Sequence, residues 1–388
     1  MKNPEAIGRP ARTGPKVLAI LEAGSWIPSG VVRGLQYARW FEAEGFDVEF
    51  VSRQPIETID YLENPRPALL RWVLWRQRVR SAIVERATAA REAEIFEKAA
   101  KSDVVYLVKV TALGFIERLR AATRARIVMD VVDAVWLDDD RRGEEEFRRT
   151  LSIVDAVTTD NALTAAYVRA CNPECYVVPD TPPLDVFDSR RGSVVRPSSD
   201  IVIGWIGTAS TLYNLYEIWE ALEIIGRRNP KVSLRLVGTG YDRALRPPFE
   251  RIRYSILPTY DQHTMVDEIL TMDIGLFPLQ RVERCEVRGV LKAALYMSGE
   301  AAVVASPVGQ VPEVIRHGQN GMLASSREEW VDHLQTLIDD EPLRRQLAEN
   351  ALTTVRERFT TERGWAILRS VLMGDAGASR QASPFESP

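Results

Sequence analysis

The sequence predicts an α/β protein built from two doubly wound domains, and three observations carry that prediction. From Lys16 almost to the end, short β-branched runs alternate with amphipathic helical stretches, the pattern of parallel strands joined by crossover helices. The alternation is interrupted at "VFDSRRGSVVRPSSD" (186–200), a polar, serine-bearing stretch without apolar period that reads as a linker. A chain of 388 residues with 45% hydrophobic and 27% charged content can also fill more than one core.

In the first half, strands are expected at "KVLAIL" (16–21), "DVEFVS" (47–52), "DVVYLVKV" (103–110), "RIVMDVV" (126–132), "DAVTTD" (155–160) and "CYVVP" (175–179). In the second half they are expected at "IVIGWIG" (201–207), "VSLRLVG" (232–238), "IRYSIL" (252–257), "DIGLFPL" (273–279), "AAVVAS" (301–306) and "GMLA" (321–324). Ser326 followed by Glu329 has the form of a capping box opening "REEWVDHLQTLIDD", and an early proline suits the start of "EPLRRQLAENALTTVRERF". The last helix, "TERGWAILRSVL", sets Trp365, Ile367, Leu368 and Leu372 on roughly one face and needs a partner surface. The expected division is a disordered tail (1–14), a first domain (15–185), the linker (186–200), a second domain (201–360), a helix (361–373) crossing back to the first, and a second disordered tail (374–388). Ligands of doubly wound sheets bind at the carboxyl ends of the strands, so a cleft between the domains is the expected site.

The bulk numbers exclude several classes. A formal net charge of −4 gives no global field to recruit nucleic acid. Three cysteines without a CxxC pair, and three histidines, support neither a disulfide framework nor a zinc site, which fits a reducing, cytoplasmic setting. The start lacks the apolar core of a signal peptide, and no run reaches the roughly 18 apolar residues of a membrane span. The stretch "LLRWVLWRQRVR" (69–80) interleaves tryptophans with arginines; it can pack its tryptophans inward, or lie on the inner face of a membrane as a peripheral contact for a lipid-linked acceptor.

Two kinds of motif point to phosphate. "IGWIGTAST" (203–211) and "VGTG" (237–240) both end strands in glycine turns, where bare backbone can approach an anion. The spacing is not the dinucleotide fingerprint, so each alone reads equally well as a tight turn. In "RGVLKAALYMSGEAAVVASPVG" (288–309), Arg288 and Lys292 stand four apart at an expected helix start, so both side chains are expected on one face as a diphosphate clamp.

The order "IVIGWIGTAST", "VSLRLVGTG", "DIGLFPL", "RGVLKAALYM", "AAVVASPVGQVPEVIRHGQNGMLA" closely resembles group 1 (family 4-like) glycosyltransferases of the GT-B fold, as does "DVVDAVWLDD" with "VDAVTTDNALTAAYV" in the first half. The resemblance implies a second domain that holds a nucleotide-sugar donor, UDP- or GDP-linked, with no further cofactor or metal, and a first domain that holds a hydroxyl acceptor. It puts Gly207, Thr208 and Ser210 near the donor phosphates, Gly238 in the second glycine turn, Arg288 and Lys292 on the diphosphate, Val308 and Gly309 beside the nucleotide or sugar, and Glu313 on the following helix. On the acceptor side it implies Gly30 and Arg33. Asp130 and Asp133 are the acids expected to face the acceptor, Asp133 with a catalytic role; a turn or cap for the aspartates and a structural salt bridge for Arg33 are the alternatives. Family members mostly retain configuration, the leaving phosphate assisting the incoming hydroxyl.

Two positions depart from the family pattern. Leu295 stands where an acid usually grips the ribose, and Glu300 where a glycine is usual; the glycine is expected to have moved to Gly299, leaving Glu300 as a surface charge. The first half also contains no histidine, so the family's acceptor-side histidine is absent. These departures motivate a rival: a degenerate sugar-nucleotide-binding or scaffolding subunit that works with a partner glycosyltransferase. The acidic run "LDDD" (137–140) reads as a solvated loop rather than a metal site.

Overall fold

The protein is described by a computed structural model that covers residues 14–22, 28–55, 77–137, 141–195, 200–242 and 246–375. The β-branched runs form β1 (Lys16–Leu21), β2 (Asp47–Ser52), β3 (Val104–Val108), β4 (Arg126–Val131), β5 (Ala156–Thr159) and β6 (Cys175–Val177) in the first half. The second half contributes β7 (Ile201–Ile206), β8 (Val232–Val237), β9 (Arg253–Leu257), β10 (Ile274–Phe277), β11 (Ala302–Ala305) and β12 (Met322–Leu323). They pair in parallel into two six-stranded sheets, ordered β2-β1-β3-β4-β5-β6 and β12-β11-β10-β7-β8-β9. The order reverses between β1 and β3 in the first and between β7 and β10 in the second, which marks the strand ends where doubly wound sheets bind ligands.

The chain divides into two compact units, the first reaching Val178 and resuming at Trp365, the second running Pro179–Gly364. The stretch expected as a linker from 186 begins instead inside a helix, Leu184–Arg190. Phe187 is fully buried in the second unit's core, and Arg190 forms an ion pair with Asp267 there. Its apolar anchors are too widely spaced to give a period, which is why the stretch reads as irregular in sequence.

In the first unit, the helix Ala38–Ala43 lays Phe41 against Trp365 at 4.6 Å between ring centroids, edge to face. Leu368, Val371 and Leu372 complete the same core with Tyr37, Phe46 and Val104. In the second unit both sheet faces are covered. The helices Leu291–Ser298 and Glu341–Arg358 pack on one face, Trp219–Arg228 and Arg327–Asp339 on the other. Ser326 caps the last of these by accepting from the Glu329 amide at 3.2 Å.

The helix Leu291–Ser298 is seated unusually close to its sheet. A Cβ on Gly275 of β10 would stand 2.4 Å from the Tyr296 ring, so only glycine permits the approach. The Tyr296 hydroxyl then accepts the Ile206 amide at 2.7 Å. That contact sits at the end of β7, the strand that leads into the first glycine turn.

Candidate functional site

Beyond β7, the chain turns at Gly207 and enters a 3₁₀ helix, Ala209–Glu217, before the α-helix Trp219–Arg228. Thr208 caps it: Thr211 Oγ1 accepts from the Thr208 amide at 3.2 Å, and the Thr208 and Ser210 hydroxyls are 2.9 Å apart. Lys292 reaches this turn from the seated helix. Its Nζ donates to Thr211 Oγ1 at 3.0 Å and lies 4.9 Å from the centroid of the Trp205 ring. A Cβ on Gly207 would meet that ammonium at 2.7 Å and the indole at 2.5 Å, so glycine is what lets cation and bare backbone share the space. Gly238, after β8, takes φ +84°, and a Cβ there would stand 2.0 Å from the Gly207 carbonyl oxygen. Gly207, Thr208, Ser210, Gly238 and Lys292 are thus brought together.

Arg288 arrives differently from the sequence expectation. The helix begins at Leu291, and Arg288 lies in the turn between it and the short helix Glu283–Glu286. Arg288 and Lys292 therefore do not share a helix face, because Gly289 and Val290 intervene as non-helical residues. They converge through the 3₁₀ helix instead: Lys292 bonds Thr211, while the charge of Arg288 acts on Tyr213. Burial raises the Tyr213 phenol pKa, Cys285 adds to that, and Arg288 opposes it. Gly309, at φ +60°, tucks under this turn; a Cβ would stand 2.7 Å from the carbonyl oxygens of both Arg288 and Cys285. Val308 is buried beside it, and the Gln310 backbone N–H donates to the Arg288 carbonyl at 3.2 Å.

Glu313 is exposed on the short helix Val311–Val314, and the Arg358 guanidinium donates to its carbonyl at 3.2 Å. Burial raises its carboxyl pKa, with Arg358 opposing. Thr211, Tyr213 and Trp205 were not legible as site residues. A Thr-x-x-Thr cap lacks the acid or amide of a capping box, and a strand tryptophan reads as core.

Leu295 is 6% exposed and packs in the core with Val266, Ile269 and Tyr296, so this side chain is committed to holding the helix on the sheet. Glu300 corrects an expectation. The glycine has not taken over the left-handed position: Gly299 ends the helix at φ −88°, whereas Glu300 itself adopts φ +58°. It is also no idle surface charge. Arg191 forms an ion pair with it and donates to the Ser298 carbonyl at 2.9 Å, tying the chain after Arg190 to the helix end.

In the first unit, Arg33 and Asp130 are not available to an acceptor. They are 1% and 0% exposed and bond each other, with Nη2 to Oδ1 at 2.6 Å. Thr158 donates to Asp130 at 2.6 Å, Arg33 donates to the Val178 carbonyl, and the Tyr106 hydroxyl donates to the Arg33 carbonyl at 2.9 Å. Burial pushes the Tyr106 phenol pKa well up. The pair is therefore a structural clamp, joining the helix Pro28–Arg33, which also holds buried Gly30, to β4. Partners 97 residues apart leave no local trace of one another.

Asp133 is half-buried just beyond the end of β4 and takes φ +64°. Lys109, directly after β3, takes φ +58°, and its Nζ lies 3.0 Å from Asp133 Oδ2. A left-handed non-glycine costs roughly 1–2 kcal/mol. At 30% and 42% side-chain exposure such an ion pair contributes about 0–1 kcal/mol. The pair does not offset the strain of the two backbones that create it. Nothing in the sequence marks Lys109 for this conformation.

Among the described residues no three His, Cys, Asp or Glu side chains are grouped as a metal would need, and no helix is long and apolar enough to cross a membrane. Asp138–Asp140 and residues 69–76 lie outside the described residues, as do the side chains of 77–80.

Two parallel doubly wound units with this turn cluster define an α/β protein of the GT-B kind. Solved structures agree on the fold. A glycosyltransferase from Rickettsia africae superposes with TM-score 0.66 at 13% identity, over 95% of this chain and 100% of that one. Sucrose-phosphate synthase from Thermosynechococcus elongatus gives 0.65 at 15%, over 94% and 100%. Anabaena HepE in complex with UDP-glucose gives 0.63 at 16%, over 93% and 100%. Residues 200–340, within the second unit, match the family described as "Glycosyl transferases group 1". No curated protein matches the sequence.

Proposed function

We propose that the protein moves a glycosyl group from a UDP- or GDP-linked sugar to a hydroxyl acceptor, with retention of configuration. The observation that carries the reading is the ammonium of Lys292 lying 2.7 Å from the position a Gly207 Cβ would occupy. A cation beside bare backbone, at the carboxyl end of a switch-point strand, is suited to a diphosphate. That HepE is solved with UDP-glucose supports the donor class.

In the proposed reaction the bond from the anomeric carbon to the diphosphate oxygen breaks as the acceptor oxygen bonds that carbon. The acceptor proton passes to the departing phosphate. Lys292 and Arg288 stabilise the charge that grows on the leaving group, and Thr211 orients the ammonium. Gly207, Thr208, Ser210, Gly238, Val308 and Gly309 shape the donor turn, with Glu313 on the adjoining helix. Asp133 serves the acceptor side.

Leu295 favours a second reading, a donor-binding subunit without turnover, because the core leucine cannot accept a hydrogen bond from a ribose hydroxyl. A thermal-shift panel of nucleotide sugars, followed by transfer assays with the best binder, separates the two. A specific donor raises Tm by mass action. Transfer with the donor's anomeric configuration kept in the product, read by NMR, is the expected result. Binding without transfer across a broad acceptor panel supports the subunit reading, and an inverted product refutes retention.

A further inference from the structure

We propose that Trp205 is a positioning residue for the donor site: its indole face holds the Lys292 ammonium in place for the diphosphate through a cation–π contact. This rests on the glycosyltransferase reading and extends it to the residue that sets where the cation stands. The Lys292 Nζ lies over the Trp205 ring, 4.9 Å from its centroid, inside the roughly 6 Å over which such attraction acts. The ring is itself firmly held. Trp205 is 1% exposed near the end of β7, in register with Leu236 of β8, and shares a core with Leu212 and Leu215 of the 3₁₀ helix that carries Thr211. The helix that carries Lys292 is anchored at the same strand end, because the Tyr296 hydroxyl accepts from the amide of Ile206, the residue after Trp205, at 2.7 Å.

A lysine ammonium rides on a long flexible stem and is strongly hydrated, so without support it is spread over many positions before a ligand arrives. A support fixed in advance lowers the ordering cost at binding. The chemistry of that support decides what the ammonium can still do. A carboxylate holds a lysine but neutralises it, as Glu94, Glu97 and Asp133 do for Lys98, Lys101 and Lys109. An indole face attracts the cation through its quadrupole and carries no net charge, so the positive charge stays available to a diphosphate. Gly207 completes the arrangement. A Cβ there would meet the indole at 2.5 Å and the ammonium at 2.7 Å, so any side chain would intrude where ring and cation reach the turn.

Ring-fluorinated tryptophans, carrying one to four fluorines and placed site-specifically at position 205 of the full chain, test this, because fluorine drains the π face while nearly preserving the ring's shape. UDP and uridine are titrated into each protein, both with Lys292 present and with Lys292→Ala. With Lys292 present, UDP affinity should fall stepwise with fluorine number, by roughly 2- to 30-fold at four fluorines. Uridine affinity should stay constant, which also reports a folded site. In Lys292→Ala the stepwise loss should vanish, since the ring then has no cation to hold. UDP affinity independent of fluorine number, an equal fluorine effect with and without Lys292, or a uridine affinity that falls in step with that of UDP overturns the proposal. The two readings fail separately. If Lys292→Ala alone leaves UDP affinity intact, the diphosphate reading is refuted; if it weakens UDP while fluorination does not, only the role of Trp205 is refuted.

Discussion

The strand-end turns of the two units solve the same backbone problem with opposite residues. In the second unit, Gly238 and Gly309 occupy left-handed backbone, and Gly207 leaves room for the Lys292 ammonium. In the first, left-handed backbone is occupied by Lys109 and Asp133, whose side chains are kept despite the strain. The difference teaches what each turn presents. A glycine turn offers backbone N–H groups and close approach, which suits phosphate. A left-handed lysine and aspartate instead hold two opposite side-chain charges at fixed positions, 3.0 Å apart.

The comparison can be broken first at its scaffold. Arg33→Met should destabilise the first unit by about 3–5 kcal/mol, since it leaves the Asp130 carboxylate buried without its cation. Urea unfolding followed by tryptophan fluorescence measures this; a loss under 1 kcal/mol would return Arg33 to the acceptor side. Gly238→Ala comes next. Its Cβ would collide with the Gly207 carbonyl oxygen at 2.0 Å, in a backbone conformation alanine avoids. A cost of at least about 1–2 kcal/mol and weaker donor binding are expected; an alanine variant with wild-type Tm and donor Kd would show that the turn needs no glycine.

The smallest effect concerns the histidine pair of the second unit, His317 and His333, with ring centroids 5.0 Å apart. Burial and then the neighbouring His317 hold the His333 imidazole below its usual pKa. The folded state therefore binds fewer protons than the unfolded chain just below the ordinary histidine pKa of about 6.5. The stability it contributes is present above that pH and is lost as pH falls through the depressed folded value. Tm should decline between pH 7.5 and 5.5, and His333→Gln should flatten the decline; an unchanged slope would contradict the assignment.

Much of this architecture was legible from the β-branched runs, because buried parallel strands leave a local signature. The tight turns after β7 and β8 were legible through glycine, which is conspicuous in sequence. Three things were not. The Arg33–Asp130 clamp joins residues whose only relation is tertiary. The Arg288–Lys292 spacing suggests a helix face, but Gly289 and Val290 precede the helix, and the two cations reach the 3₁₀ helix separately, at Thr211 and Tyr213. The left-handed Lys109, Asp133 and Glu300 are residues for which sequence offers no expectation of positive φ.

The central claim is that cations of the second unit grip the diphosphate of a nucleotide-sugar donor, with no contribution from a carboxylate at position 295. Titration of UDP and of uridine into the wild type and Lys292→Ala tests it most directly. The account predicts that the variant weakens UDP by about 10–100-fold, the worth of one charge-assisted contact, and leaves the weaker binding of uridine unchanged. Equal Kd values for UDP in the two proteins, with the variant folded, would contradict it.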